Sequence, residues 1–448
     1  METSQLFGTE KISRILFKMA PPVMFAQLIQ ALYNIVDSLF VGRCAETGLT
    51  ALSIIYPLQL LMIALAVGTG VGINTVIAAR LGQKKEAEAK DYAGMAAPLA
   101  LILWVVFAAV CWFGMPLYAR LSTDSPAIIR EVVVYGRIVC LLSLGLFLES
   151  VWTKVLQAYG NMKTPMVAQI IGAVVNIVLD PILIFGLLGL PQMGIAGAAV
   201  ATVLGQWAAA FYVRRGITKM PADRSVLLPY ARTIFRLGAP NMLMQSAYTF
   251  YIFGLNLILA GFSDQAVTAL GLYYKWQSIF FIPLSAMQTC IVPIVSFNYA
   301  ARDLGRCKKT LSTALLFGMG LMLTGVFCFE VIPGPMLRVF SRDPLVIDIG
   351  TVGFRYIGLS FVPLVSSLTY PVFFQALGEG FKSSLLTVVR TVVCFVPLGY
   401  LFSRFGLDYF WLTYPVTEVI TTGLGYYLYR RFLRNPYPTP AIMDHDRP

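Results

Sequence analysis

The sequence predicts an all-α integral membrane protein, with twelve transmembrane helices arranged as two parallel six-helix repeats. Three observations lead to this prediction. Of the 448 residues, 58% are hydrophobic and 12% are charged, about half the charged share of an ordinary soluble domain. The apolar residues fall in twelve runs, each near or above the ~20 residues needed to cross ~30 Å of hydrocarbon. The second half of the chain also repeats features of the first at a constant spacing.

The apolar runs indicate helices rather than strands. Between Asp91 and Arg120, for example, the sequence contains no charged residue. Strands of an outer-membrane barrel alternate apolar and polar residues in short segments, whereas these runs are continuously apolar. The spans are therefore predicted to be helical.

The positive charge is distributed unevenly along the chain. The formal net charge is +12, and basic residues concentrate in alternate connections between the spans, such as 80–90 and 214–236. Loops rich in lysine and arginine remain in the cytoplasm under the positive-inside rule. We therefore expect a multi-pass protein of the plasma (inner) membrane with both termini in the cytoplasm. Because orientation in the membrane accounts for the charge, lipid is an expected partner and nucleic acid is not.

The first span, about 15–40, contains an aspartate near its end. Asp37 closes an uncharged stretch that begins after Lys18, so it lies inside or at the edge of a segment able to cross the bilayer. A charged side chain at the centre of such a helix costs roughly 2.5–3.5 kcal/mol, so a functional role is expected. The alternative is a position at the lipid–water boundary, where the carboxylate would do little. The same span contains Pro21 and Pro22, which interrupt the helical hydrogen bonds and predict a hinge.

The second span, about 51–79, contains Gly68 and Gly72 in a glycine-rich run. Such a run can cradle phosphate, but no Lys-Ser/Thr pair follows this one, and its glycines lie inside a span. We therefore predict close helix packing at both glycines. The third and fourth spans are predicted at 92–114 and 128–157.

The fifth and sixth spans contribute further polar residues. In the fifth span, about 165–187, Asn176 and Asp180 are four residues apart, so their side chains share one face of the helix. The sixth span, about 193–214, begins with small residues that allow close approach of neighbouring helices, and this stretch ends at Thr202.

Together with Asp37, these side chains form a candidate cation site. Two carboxylates, an amide and a hydroxyl supply hard oxygen ligands inside an apolar body. Such a set can bind Na⁺ or share a proton, since two neighbouring carboxylates resist being ionised together. If the ion is Na⁺, Asp37 and Asp180 are its expected charged ligands. The alternative is that Asn176 and Thr202 only join helices by hydrogen bonds.

The second half of the chain repeats the first. Pro22 and Gln27 return as Pro240 and Gln245, each 218 residues later. An even number of spans in each half gives both halves the same orientation, and transporters of this design bind substrate between the halves. The predicted segments, in order, are an N-terminal six-helix lobe at 1–215, a cytoplasmic linker at 216–232, a C-terminal six-helix lobe at 233–435 and a cytoplasmic tail at 436–448.

The C-terminal lobe contains a second candidate polar site. Lys275 and Glu418 lie inside predicted spans, and two opposite charges in an apolar body are expected to find each other or water. We predict a Lys275–Glu418 pair, with Tyr273 and Gln277 close to it. Aromatic neighbours would bind flat cations by cation–π contact. The alternative is that the pair is structural and that the aromatic residues only pack.

Taken in this order, the segments resemble the multidrug and toxic compound extrusion (MATE) family over essentially the whole chain. The matching features are Asn34 and Asp37 before Phe40-Val41-Gly42, the glycine-rich end of the second span, Lys163-Thr164-Pro165-Met166, and Asn176 with Asp180 followed by the small residues 194–202.

The resemblance implies a grouping of residues and a movement. In one branch of the family, aspartates of the first and fifth spans form a cation-coupling site. Here that site corresponds to Asp37 and Asp180 with Asn176 and Thr202, and Asn34 lies beside Asp37. The proline that is thought to bend the first helix corresponds to Pro22. Another branch has acids in the seventh and tenth spans, where this sequence has no acidic residue.

These observations predict a secondary active antiporter. It would export organic compounds, expected to be cationic and amphipathic, in exchange for Na⁺ or H⁺. We expect a monomer that needs no cofactor besides the coupling ion. The sequence contains no G-x-x-x-x-G-K-[ST] motif for direct use of ATP, and the chain is not expected to be an enzyme.

Three alternatives are considered. A lipid-linked oligosaccharide flippase of the same superfamily would favour a more cationic cavity, suited to pyrophosphate. A membrane-embedded transferase would usually need a catalytic histidine or an acid cluster at a surface, whereas the single histidine, His445, lies in the polar tail. A passive channel is disfavoured by the different charges of the two halves.

Overall fold

The computed structural model describes residues 3–44, 46–214 and 224–437, and the regular elements in these ranges are all helices. A helix satisfies its backbone hydrogen bonds within one segment, which is why continuous apolar runs adopt it in a membrane. The helices of the first half are α1 (Thr3–Gly8), α2 (Ile12–Cys44), α3 (Glu46–Gly82), α4 (Glu86–Gly94), α5 (Ala96–Ser122), α6 (Pro126–Leu141), α7 (Leu144–Ala158), α8 (Lys163–Phe185) and α9 (Ile195–Val213).

The second half contains the remaining helices. They are α10 (Leu227–Ala260), α11 (Asp264–Ala300), α12 (Leu304–Val331), α13 (Pro333–Arg338), α14 (Pro344–Leu359), α15 (Phe361–Ala376), α16 (Gly380–Val388), α17 (Val396–Ser403), α18 (Leu407–Phe410) and α19 (Thr413–Arg434). A π-helical turn, Val389–Phe395, joins α16 to α17.

Within the described ranges, nine helices are long and apolar enough to cross a membrane, or up to eleven spans when each of two bent helix pairs counts as one. The pair α6–α7 is bent by 44° and the pair α14–α15 by 55°. The 22-residue α19 occupies the place of the twelfth predicted span, and it is less apolar than the others because it contains Glu418 and several arginines near its end.

The two bends have the same local cause. Ser143 lies at the first break, and its hydroxyl donates to the Cys140 carbonyl at 2.7 Å. Ser360 lies at the second break and donates to the Ile357 carbonyl at 2.6 Å. A serine that bonds to the preceding turn competes with the helical backbone bonds and bends the chain. The two serines, and with them the two bends, are separated by nearly the spacing of the sequence repeat.

The predicted packing role of the second-span glycines is confirmed. A Cβ on Gly68 would collide with Met242, and one on Gly72 would collide with the Ile234 carbonyl of α10. From the other side, a Cβ on Gly238 would collide with the carbonyl of Gly68. The backbones of α3 and α10 therefore touch, which only glycine permits at these positions.

The chain divides into two compact units, one comprising Pro21–Met242 and the other Met1–Ala20 with Leu243–Pro448. The lobe boundaries derived from the sequence stay a prediction. Of the predicted linker, residues 216–223 lie outside the described ranges, and residues 227–232 belong to α10. Of the predicted tail, 438–448 lies outside them as well.

Candidate functional site

The predicted cation ligands of the first half lie together on α2, α8 and α9. Asp180 and Asn176 are 0% and 2% exposed, and Asp37 is 8% exposed. The carboxyl groups of Asp37 and Asp180 lie within hydrogen-bonding reach of each other. The Asn176 amide, Nδ2, donates to Asp180 Oδ1 and to Thr202 Oγ1, each at 3.4 Å. Four of the five predicted ligands thus form one connected group, here called the aspartate pair site.

The aspartate pair site has unused acceptor atoms. Asp37 Oδ1, Asp180 Oδ2 and Asn176 Oδ1 are buried and accept no hydrogen bond from the described residues. Two ionised carboxylates repel each other, so a shared proton would stabilise this contact. A monovalent cation between the two oxygens would relieve the same repulsion. The geometry therefore suits a site that binds a cation in one state and releases it in another.

The fifth predicted ligand and the predicted hinge both lie on α2. Asn34 precedes Asp37 by about one turn, and its side chain is exposed. Pro21 and Pro22 are half-buried in the interior of α2, which continues as one helix through both prolines. Bending at this point stays a prediction.

Two tyrosines near the aspartate pair site were not predicted. Asp37 and Asp180 both act electrostatically on Tyr33 and on Tyr135, and the Tyr135 hydroxyl accepts a hydrogen bond from the Gln59 amide at 3.4 Å. Tyr33 precedes Asp37 by four residues and so shares its helix face, a signal present in the sequence. For Tyr135 the sequence contains no comparable signal, because it lies on α6.

Small residues bring α8 and α9 close enough to join the site. A Cβ on Gly205 would lie 2.6 Å from the Gly172 carbonyl and 3.3 Å from the Asn176 Cβ. A Cβ on Gly172 would lie 2.9 Å from the Gly205 carbonyl. This backbone contact lets the short side chain of Thr202 reach Asn176. Within the predicted stretch 194–202, a Cβ on Gly197 would lie 2.6 Å from the backbone of Leu183, so the predicted close approach is confirmed there.

Glu149 on α7 is a further buried acid of the same unit, 8% exposed. Its Oε1 accepts hydrogen bonds from Thr153 Oγ1 at 2.8 Å and from Gln169 Nε2 at 2.9 Å. Its charge acts on Tyr33, as do the charges of the aspartate pair. The sequence places Glu149 inside the fourth span without indicating a partner.

In the second half, the predicted Lys275–Glu418 pair is wrong. Glu418 instead pairs with Arg390, whose Nη2 lies 2.6 Å from Glu418 Oε1 and whose Nε lies 3.1 Å and 3.2 Å from the two carboxylate oxygens. Ser367 also donates to Glu418. Lys275 is exposed, and its Nζ lies 5.0 Å from the ring centroid of Phe340. The reason is helix rotation, because Lys275 lies on the outer side of α11.

Arg390 was missed, although the sequence contains a signal for it. It is the one charged residue between Lys382 and Arg404, in the middle of an apolar run. It lies in the π-helical turn Val389–Phe395. Such a turn inside an α-helix is frequent at functional sites. The two charges of the pair are 5% and 0% exposed, respectively.

Aromatic side chains surround the Arg390–Glu418 pair. The Arg390 Cζ lies 5.0 Å from the Phe395 ring centroid and 5.8 Å from that of Tyr251. Tyr273 is fully buried, and the charges of Arg390 and Glu418 act on it. Gln277 is also buried, and its Oε1 accepts a hydrogen bond from a tyrosine hydroxyl, that of Tyr248, at 2.9 Å. Tyr273 and Gln277 therefore lie on the buried side of α11, opposite Lys275.

Over nearly its whole length, the chain is similar to proteins named as transporters. An FAD transporter of Shewanella oneidensis is 24% identical over 442 residues, covering 96% of this chain and 97% of that protein. A probable multidrug resistance protein, NorM, of Thermotoga maritima is 24% identical over 459 residues, covering 98% and 96%. The solved structure of a MOP superfamily transporter from Pyrococcus furiosus is 22% identical, with a TM-score of 0.89 and coverage of 98% and 99%.

These comparisons confirm the twelve-helix membrane fold and the prediction that the chain is a transporter rather than an enzyme. The family model described as MatE matches twice, at residues 22–182 and 240–401. The two matches begin 218 residues apart, the spacing found for the internal repeat. Because the matched ranges cover most of both halves, the chain belongs to the MatE family of multidrug and toxic compound extrusion transporters.

Proposed function

We propose that this protein is a secondary antiporter that exports organic compounds, cationic and amphipathic, in exchange for Na⁺ or H⁺. It would belong to the MATE branch with aspartates in the first and fifth spans. The observation that carries the proposal is that Asp37 and Asp180 are both buried and lie beside each other, with Asn176 bonded to Asp180 and Thr202. Within the described ranges, neither carboxyl forms an ion pair with a lysine or arginine. Their charge is therefore available to a mobile cation.

The coupling would follow from alternate neutralisation of this site. In one half of the transport cycle, a bound ion cancels the negative charge of Asp37 and Asp180. In the other half, the ion is released and cargo enters. Neutralisation lowers the free-energy cost of burying the two aspartates. We expect α2 to bend in response at Pro22, where the helical hydrogen bonds are already interrupted. We place the protein in the plasma (inner) membrane with both termini cytoplasmic, and we expect it to act as a monomer in contact with lipid.

The test is transport by the purified protein in liposomes. Na⁺ and pH gradients are imposed separately, and efflux of a fluorescent organic cation is followed. Asp37→Asn and Asp180→Asn should each abolish ion-driven efflux, because each replaces one of the two carboxylates by a neutral amide and removes the repulsion that the ion relieves. Asp264→Asn, at the exposed start of α11, is the matched control and should leave efflux unchanged. Full ion-driven efflux in both site variants would refute the proposal.

A second candidate function is export of a flavin nucleotide. The stacked rings of Tyr251 and Phe395, 4.6 Å apart, are a surrounding suited to a flat ring system, and one relative is named an FAD transporter. The same liposomes loaded with FAD distinguish the two functions. The flippase alternative is less well supported, since the polar group of the first half is acidic.

A further inference from the structure

We propose that α1 and the first turns of α2 form an anchor (residues 3–20), which keeps the start of α2 fixed while the remainder of that helix moves. The inference rests on the proposed response of α2 to its coupling ion, and it identifies the fixed end of that movement. The anchor belongs to the unit formed by Met1–Ala20 and Leu243–Pro448, and the other unit begins at Pro21.

A helix as short as α1 depends on its neighbours. It has six residues, and isolated helices shorter than about 12–15 residues are marginal in water. Phe7 is fully buried, and its ring meets the ring of Phe297 on α11 edge-on, with the two centroids 5.8 Å apart. The helical structure of α1 therefore depends on its contact with α11.

Arg306 of α12 binds the carbonyl oxygens at the end of α1. Its Nη2 donates to the Phe7 carbonyl at 2.6 Å and to the Glu10 carbonyl at 2.8 Å, and its Nε donates to the Phe7 carbonyl at 3.1 Å. The last carbonyls of a helix have no partner within that helix, and a cation is favourable at this end. Arg306 therefore holds both α1 and the link from α1 to α2.

A second side chain positions Arg306. Asn298 is 1% exposed, and its Oδ1 accepts a hydrogen bond from Arg306 Nε at 3.0 Å. Its Nδ2 donates to the Phe7 carbonyl at 3.1 Å and to a carbonyl of its own helix at 2.8 Å. The neighbouring Tyr299 binds the segment after α19, since its hydroxyl donates to the Pro436 carbonyl at 2.8 Å. The anchor is therefore bound to a turn that is itself held in place.

The burial of α2 changes at its two prolines. The apolar side chains on one face of its first turns are each 1% or 2% exposed, and they are Ile12, Ile15, Leu16 and Met19. In the stretch 24–36, which the structure describes throughout, no residue is buried. Segments with few buried contacts open and move most readily. Pro21 and Pro22 therefore lie between a firmly packed start and a loosely packed remainder of α2.

A fixed start converts a force on α2 into a bend. If the start of the helix were free, a force at Asp37 would tilt the helix as a whole. When the start is held, the movement has to be taken up where the helical hydrogen bonds are interrupted, which is at Pro21 and Pro22. The anchor thereby makes the two prolines the hinge.

The first test is amide hydrogen exchange of the purified full-length protein, measured without cargo or an ion gradient. Arg306→Ala should accelerate exchange in residues 3–15 at least about tenfold, which corresponds to ~1.4 kcal/mol of local opening. Arg306→Lys should accelerate it as well, because one ammonium group lacks the fork of donors, and this variant decides the test if Arg306→Ala does not fold. Lys308→Ala, at an exposed basic residue of the same helix, is the matched control and should exchange normally. Unchanged exchange in the Arg306 variants would overturn the inference.

The second test is ion-driven efflux from liposomes. Arg306→Ala and a deletion of residues 2–10 should each lower efflux at least about fivefold, the low end of typical coupling between two sites. Arg306→Ala should add nothing in the deletion variant, because the carbonyls that Arg306 binds are then absent. Unaltered efflux in either variant, or a further loss in the combined one, would contradict the anchor and leave the antiporter proposal intact. Absence of ion-driven efflux in the unaltered protein would instead refute the antiporter proposal, and with it the role given to the anchor.

Discussion

Charged side chains in the apolar interior of this protein fall into two kinds. Arg390 and Glu418 neutralise each other through a bidentate contact, so a ligand would change the charge of this pair very little. Asp37 and Asp180 face a group of the same sign, and Glu149 faces neutral donors. A buried charge without a fixed partner is expensive. The aspartate pair site is therefore where a mobile cation has the largest effect.

Removing one partner of the Arg390–Glu418 pair should destabilise the protein more than removing both. Arg390→Met leaves a buried carboxylate unpaired and should cost about 3–5 kcal/mol, whereas Arg390→Met with Glu418→Met should be much closer to the unaltered protein. Thermal unfolding in detergent measures the difference. Lys275→Met is the control and should have little effect, because Lys275 is exposed. An equal loss in Lys275→Met and Arg390→Met would contradict the pairing.

Among the helices, the contact between α8 and α9 determines whether the cation ligands meet. Gly172 and Gly205 face each other across it, and the Asn176–Thr202 hydrogen bond lies on the same seam. Side chains as short as those of asparagine and threonine reach each other only when the backbones are close. The small residues of the sixth span are thus part of the functional geometry as well as of the packing.

Gly205→Ala should separate these helices and weaken the response to the coupling ion. The added Cβ would lie 2.6 Å from the Gly172 carbonyl, and overpacking of this kind typically costs 1–3 kcal/mol. The ion concentration that gives half-maximal efflux should rise. Gly114→Ala, at a helical glycine with no atom within 4 Å of its added Cβ, is the matched control. An unchanged ion response in Gly205→Ala would contradict this prediction, because it would show that the contact between α8 and α9 tolerates a methyl group.

For the molecule as a whole, the proposed exchange has a defined electrical consequence. One monovalent ion exchanged for one monovalent organic cation moves no net charge, so a tenfold ion gradient supplies ~1.4 kcal/mol and the membrane potential supplies none. Each additional coupled ion would add ~2.3 kcal/mol per 100 mV.

Efflux at a fixed ion gradient should therefore not depend on an imposed potassium diffusion potential. Liposomes with and without valinomycin provide this measurement, and an uncharged cargo provides the control, since its exchange for an ion moves charge. A potential-dependent rate for the cationic cargo would indicate more than one coupled ion for each cargo molecule.

The order of residues is enough to predict the membrane class, the number of spans, the internal repeat and the polar residues inside the spans. A span needs only consecutive apolar residues, and an acid such as Asp180 is recognisable from its immediate neighbours in the chain. The two bends were not predicted, because a serine such as Ser143 or Ser360 also occurs in straight helices.

The contacts that the buried side chains make could be identified only in the folded structure. Glu418 meets Arg390 and not Lys275 because rotation of α11 turns Lys275 outward. Tyr135, on a different helix, lies within the electrostatic field of the aspartate pair site. Such contacts join residues far apart in the chain and depend on which face each helix presents to its neighbour. Apolar composition sets the length of a helix locally, whereas its rotation and lateral neighbours depend on the fit of side chains across the whole bundle.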